Sequence, residues 1–150
     1  MGTYATVWKG RNMVYNMHER FVRADPDRVW ELLAAIGSED DRLWPEGKGT
    51  FRLPEGLTPG APVEHSSLRY HVQTVEPGRK LWFDTGKQLS EGHGFTLTER
   101  DGGTLVRHEL KGRTGGMFRL MWPLIVRRQH DVVIELVLDN LEREVSRAAL

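Results

Sequence analysis

Between Gly47 and Arg113 the chain alternates apolar and polar residues in short runs separated by turn residues, and from Met117 to about Ala148 the apolar period becomes helical. That succession constrains the fold more than any other feature. The runs Gly49–Leu53, Pro62–Ser66, Leu68–Val75, Lys80–Asp84, Glu91–Arg100 and Thr104–Arg113 read as strands. The last two are joined by Asp101-Gly102-Gly103, where the Asp-Gly supplies the positive φ of a tight hairpin. A curved antiparallel sheet must cover its apolar face, and only the C-terminal helix is long enough to do so. A sheet curled around one helix leaves a hollow, and such hollows bind small molecules.

A second signal lies upstream. Tyr15–Arg23 reads as the first strand and runs straight into a helix from Pro26 to about Ile36. Asp25 is placed to cap it, and Pro26 occupies a first-turn position that needs no N–H. Gly37 suits the end of this helix, with Ser38 as the cap of a second short helix over Glu39–Trp44, stopped by Pro45. In the C-terminal helix the expected apolar stripe is Phe118, Met121, Ile125, Val132, Leu136, Leu141 and Val145, widened by Val133, Val137 and Ala148, with a kink or fresh start at Pro123. The expected architecture is α+β: a curved antiparallel sheet of about seven strands around a long C-terminal helix, with two short helices after the first strand. Residues 15–150 form one domain and residues 1–14 an N-terminal extension.

Composition excludes several function classes. The 150 residues carry 21 basic and 21 acidic side chains, so the net charge is zero and no basic stripe marks a nucleic-acid binder. There is no cysteine, which removes disulfides and thiolate chemistry and fits a reducing compartment. No apolar run near the start has the length of a secretory signal, and Val132–Leu138 is too short to span a bilayer and contains Glu135. A cytoplasmic protein without stable membrane insertion is expected.

The segment Ala24-Asp25-Pro26-Asp27-Arg28-Val29-Trp30-Glu31-Leu32-Leu33 resembles the opening of the START-like, or SRPBCC, superfamily, A-P-x-x-V-W-x-L-L. Phe95-Thr96-Leu97-Thr98-Glu99-Arg100-Asp101-Gly102-Gly103-Thr104 is similar to its F-x-L-x-x-x-x-G-G-T hairpin, and Leu138–Val145 to its closing helix. The resemblance covers roughly residues 15 to 147, and the Met1–Val14 extension departs from it. It implies the helix-grip fold and a pocket. It does not fix an activity, because the superfamily holds polyketide cyclases, lipid carriers and hormone receptors.

The candidate site follows from which side chains face the hollow. Phe95 and Leu97 share a face with His93, and Val106 and Leu110 flank His108 on the partner strand, so both histidines are expected inward. Such a pair could orient a phenol or carbonyl or move a proton; each histidine could instead satisfy a buried neighbour. The faces of Leu68–Val75 are ambiguous, and Tyr70 is taken as inward. The superfamily pattern turns the Val22 face inward and places Arg20 in or beside the cavity, facing a ligand anion or paired with an acid. Phe51, Trp82, Met121 and Ile125 are candidate apolar walls, as are Trp44 and Phe118, and Gln129 interrupts the helix stripe.

Metal ligation is not expected: six histidines are present but no H-E-x-x-H, and His65 and His71 fall on different strands. No G-x-S-x-G occurs, and Gly92-x-Gly94 lies within a strand, wrongly placed for a dinucleotide fingerprint. No cofactor is implied, no catalytic residue is assigned, and the oligomeric state is left open. The expected function is binding of a hydrophobic small molecule, of lipid, polyketide or aromatic class, as carrier or sensor. The alternatives are a cyclase-type enzyme using an inward His or Tyr as acid or base, and a protein-interaction module resembling chaperone activators.

Overall fold

A computed structural model describes residues 2–8 and 13–148. Eight antiparallel strands form one sheet in the order β1-β2-β8-β7-β6-β5-β4-β3. They are β1 (Thr3–Trp8), β2 (Met13–Val22), β3 (Phe51–Arg52), β4 (Pro62–His65), β5 (Leu68–Glu76), β6 (Lys80–Asp84), β7 (His93–Arg100) and β8 (Gly103–Arg113). Helix α1 spans Pro26–Ala34; α2 (Gly116–Met121), a π-helical turn (Trp122–Val126) and α3 (Arg127–Ala148) follow the sheet. All seven runs read as strands are strands. The eighth, β1, comes from the N-terminal extension and pairs with β2 from Thr3↔Glu19 to Trp8↔Val14.

Local chemistry explains the elements. The Asp25 carboxylate accepts from the Arg28 N–H at 2.9 Å, so the capped start of α1 is as expected. The β7–β8 hairpin closes at Arg100↔Gly103, with Gly102 at φ 81°. One expected helix is absent: Glu39–Trp44 forms turns. The Asp41 carboxylate accepts from the N–H groups of Gly37, Leu43 and Trp44 at 2.9, 2.8 and 3.1 Å, and Ser38 Oγ accepts from Asp40 N–H at 3.1 Å. These side chains satisfy the amides locally and compete with the helical ladder.

The helix stripe also differs from the expected one. Pro123 sits in the π-helical turn, where one extra residue per turn rotates everything beyond it. Trp122, Ile134, Val137, Leu138, Leu141 and Val145 face inward, while Ile125 and Val132 are exposed. The inward set of α3 packs with Val29 and Leu33 of α1 and Val22, Phe95 and Val106 of the sheet. A second cluster joins Ile36 to the inner faces of β3–β6, and a third holds Trp122 against Val14, Leu89 and Leu110.

A polar seam sets α3 on β2. Asn16, His18 and Arg20 alternate along one face of the strand and are buried. Asp131, Glu135, Asp139 and Glu142 recur at helical spacing opposite them. Asn16 Nδ2 donates to Asp131 at 2.8 Å, and the two His18 nitrogens lie 2.9 and 2.7 Å from Asp131 and Glu135. Arg20 donates to Glu135, Asp139 and Glu142 at 2.9, 2.8 and 2.8 Å. The carboxylates are partly exposed, so each contact contributes modestly; their shared register is what holds the helix in one position along the strand.

Candidate functional site

Between the inner face of the sheet and the helical stretch lies a cavity of about 1110 Å³. That is slightly above the usual range of roughly 300–1,000 Å³ for small-molecule sites. Its walls are mainly apolar: Phe51, Phe83 and Phe95 from the sheet, and Phe118, Met121 and Ile134 from the helices. Trp44 closes one side by stacking on Phe51 at 5.0 Å, with its indole N–H donating to the Gly49 carbonyl at 3.1 Å.

Polar groups enter this apolar space as one chain of rings. His65 Nδ1 lies 3.0 Å from the Tyr70 hydroxyl, and His93 Nδ1 lies 3.4 Å from His108 Nε2. Tyr70 meets His93 edge to face at 5.4 Å between ring centres, and His108 meets His130 at 5.1 Å. His18 stands directly across β2–β8 from His108 and reaches to within 6.0 Å of the His130 ring. His108 Nδ1 and His130 Nε2 are buried without a hydrogen-bond partner among the described residues.

Burial holds His65, His93, His108 and His130 neutral. The His65 pKa is lowered to about 4 by burial, and that of His93 to about 3 by burial and then by the field of His65. His108 and His130 are pushed well below the ordinary histidine range, first by burial and then by neighbouring histidines. The Tyr70 phenol is pushed up by burial and keeps its proton. At neutral pH the cavity therefore offers neutral donors and acceptors and no fixed charge from these groups. Among the described residues no three His, Asp or Glu side chains converge as a metal-ligand set.

Seven of the ten residues expected from sequence line this cavity: Phe51, Tyr70, His93, Phe95, His108, Met121 and Gln129. Three lie outside its lining. Arg20 is held by the α3 carboxylates of the polar seam, so its charge is already matched. Trp82 alternates with Phe83, and because Phe83 lines the cavity Trp82 faces the other side of the sheet. There its indole N–H donates to the Glu91 carbonyl at 2.6 Å, with Lys80 and Lys111 over the ring. Ile125 is turned outward by the π-helical turn.

Gly92-x-Gly94 has a packing role. A Cβ on Gly94 would lie 2.1 Å from the Leu81 carbonyl oxygen, and one on Gly92 2.0 Å from that of Phe83. The two glycines let β6 approach closely and thereby place His93 between them. Sequence reasoning missed His65 and His130. His65 is two residues from the buried Val63 on β4, which puts it on the inner face. His130 stands four residues after Val126 and four before Ile134, and the extra residue of the π-helical turn obscures that spacing.

No protein-family model and no curated protein matches the sequence. Solved structures do match. A conserved protein of unknown function, EF2215 from Enterococcus faecalis, is 17% identical over 95% of this chain and 76% of its own, with a TM-score of 0.67. Ara h 8.0201 is 15% identical over 90% and 99%, with a TM-score of 0.62. DynU16, a protein of the dynemicin biosynthetic locus, is 18% identical over 88% and 47%, with a TM-score of 0.58. These likenesses establish the fold alone: the helix-grip architecture, a curved antiparallel sheet around a long C-terminal helix.

Proposed function

We propose that this chain binds a hydrophobic small molecule, aromatic or polyketide-like in class, as a carrier or sensor. The observation that supports this most directly is the pairing of a large apolar cavity with hydrogen-bonding rings held neutral. Apolar burial supplies the affinity, at about 25 cal/mol per Å² removed from water. His93, Tyr70 and His65 supply orientation, since neutral imidazoles and a phenol pair with carbonyl or hydroxyl groups of a ring system without the desolvation of a charge. A protein of the dynemicin biosynthetic locus shares the fold.

A cyclase-type enzyme is the second reading, favoured by the two ring pairs at 3.0 and 3.4 Å inside the cavity. General-base catalysis works best with a pKa near the working pH. His93, lowered to about 3, is a weak base at neutral pH, and this favours the binding role.

The test is a paired variant, His93→Leu with His108→Leu, assayed against two probes of similar size. One is a hydroxylated anthraquinone and the other a plain polycyclic hydrocarbon. Losing the imidazoles is expected to weaken the hydroxylated probe about 10- to 100-fold, the equivalent of one or two hydrogen bonds, and to leave the hydrocarbon unchanged or tighter. Equal weakening of both probes would show that the histidines only shape the wall.

A further inference from the structure

The helical stretch that covers the cavity carries an exposed apolar stripe. Met117, Leu120 and Leu124 are 70, 60 and 66% exposed, and Ile125 and Val132 continue the patch. The spacing of the first three is that of one helix face. Solvated helices place polar residues on such a face, so a contiguous run of large apolar side chains marks a contact surface.

Charge identifies the partner. Between Leu110 and His130 the chain holds Lys111, Arg113, Arg119, Arg127 and Arg128 and no acidic residue, in a protein whose overall net charge is zero. Arg113, Arg119 and Arg128 are exposed and make no ion pair among the described residues. Lys87, also exposed, lies at the backbone turn against which Gly115 packs. Apolar side chains flanked by unpaired cations, on a helix too short and too polar to cross a bilayer, are the features of an interfacial element on an anionic membrane. The patch is also continuous with the cavity, since Met117, Lys87, Arg128 and Val132 belong to its lining.

We propose that the Met117–Leu124 face docks on the surface of an anionic lipid bilayer, with Met117, Leu120 and Leu124 entering the acyl boundary and the arginines on the headgroups. Docking there opens the cavity toward the lipid phase, so a hydrophobic ligand passes between protein and membrane without crossing water. The docking itself stands independently of which ligand the cavity holds.

Co-sedimentation with vesicles tests this. The full chain is compared on phosphatidylcholine vesicles and on vesicles of phosphatidylcholine with phosphatidylglycerol, beside a Leu120→Ser, Leu124→Ser variant and an Arg119→Gln variant. The protein is expected to sediment with the anionic vesicles only and to be released by high salt. The double serine variant should bind about tenfold more weakly or less, and R119Q by several-fold. Both leucines are exposed, so the thermal midpoint should not change. Equal sedimentation on both vesicle types, or none on either, would overturn the proposal. So would a dimer by sedimentation velocity that L120S/L124S converts to monomer without any vesicle binding, which would assign the patch to a second copy of the chain.

Discussion

Acidification from pH 6.5 to pH 5 is expected to destabilise this protein by roughly 3–6 kcal/mol, a large share of the ~5–15 kcal/mol that holds a typical domain folded. The source is four imidazoles held neutral at the cavity wall, His108 fully buried and His65, His93 and His130 half-buried. His65 and His93 have native pKa values lowered to about 4 and about 3, and His108 and His130 lie well below the ordinary value of 6.5. In the unfolded chain each histidine takes up a proton as the pH falls through about 6.5, while in the native state it does not. A depressed native pKa therefore contributes stability that is complete above the unfolded value. That stability is lost as the pH falls through the window from 6.5 toward 4 and then 3. Well below pH 6.5 each such group costs about 1.4 kcal/mol per pH unit; over the whole interval that is about 1.6 kcal/mol per group, and hydration of the cavity lowers the total for four of them. Urea unfolding at stepped pH reads the effect directly. The slope of unfolding free energy against pH between 6 and 5 should correspond to uptake of about three or four protons on unfolding. His93→Phe should reduce that slope by about one proton. A slope of one proton or less for the unsubstituted chain would mean that the rings are solvated and charged, and the neutral cavity would be wrong.

The second large effect is at Trp122, which is fully buried against Val14, Leu89 and Leu110 and stacks near Phe118 and His130. Replacing it by Ala should cost about 3–5 kcal/mol, the usual result of emptying a large aromatic site. Replacing it by Phe should cost only about 1–2 kcal/mol, because the indole N–H has no hydrogen-bond partner among the described residues and its loss leaves nothing unpaired. The same tryptophan pins the π-helical turn over the cavity. W122A is therefore expected to loosen that end of the helical stretch and to raise amide exchange across α2 ahead of the rest of the chain. A cost below about 1 kcal/mol for W122A would show that the stretch is held elsewhere.

What could be read from sequence, and what could not, follows from how local each signal is. The capped start of α1 at Asp25-Pro26 and the Asp101-Gly102 hairpin are written within a few residues, and both are present as expected. Period-two alternation also placed His93, Phe95 and His108 on the inner face, where the structure has them. The failures share a cause: a local pattern overridden by something it does not encode. Asp41 ties its neighbours' amides into turns where acidic residues suggested a helix. The π-helical turn at Trp122–Val126 rotates the stripe, which sends Ile125 and Val132 outward and brings His130 in. Arg20 reads alike whether it awaits a ligand anion or a helix, and only the spatial match of Glu135, Asp139 and Glu142 decides. His65 sits in a strand of four residues, too short for alternation to be persuasive.

That the cavity holds a hydrophobic small molecule is testable by native mass spectrometry of the chain purified from its own host, without refolding. A species heavier than the polypeptide by the mass of one small organic molecule is expected, released on mild activation and less abundant in the H93L/H108L variant. A bare polypeptide mass, together with no saturable binding of any hydrophobic probe, would contradict it.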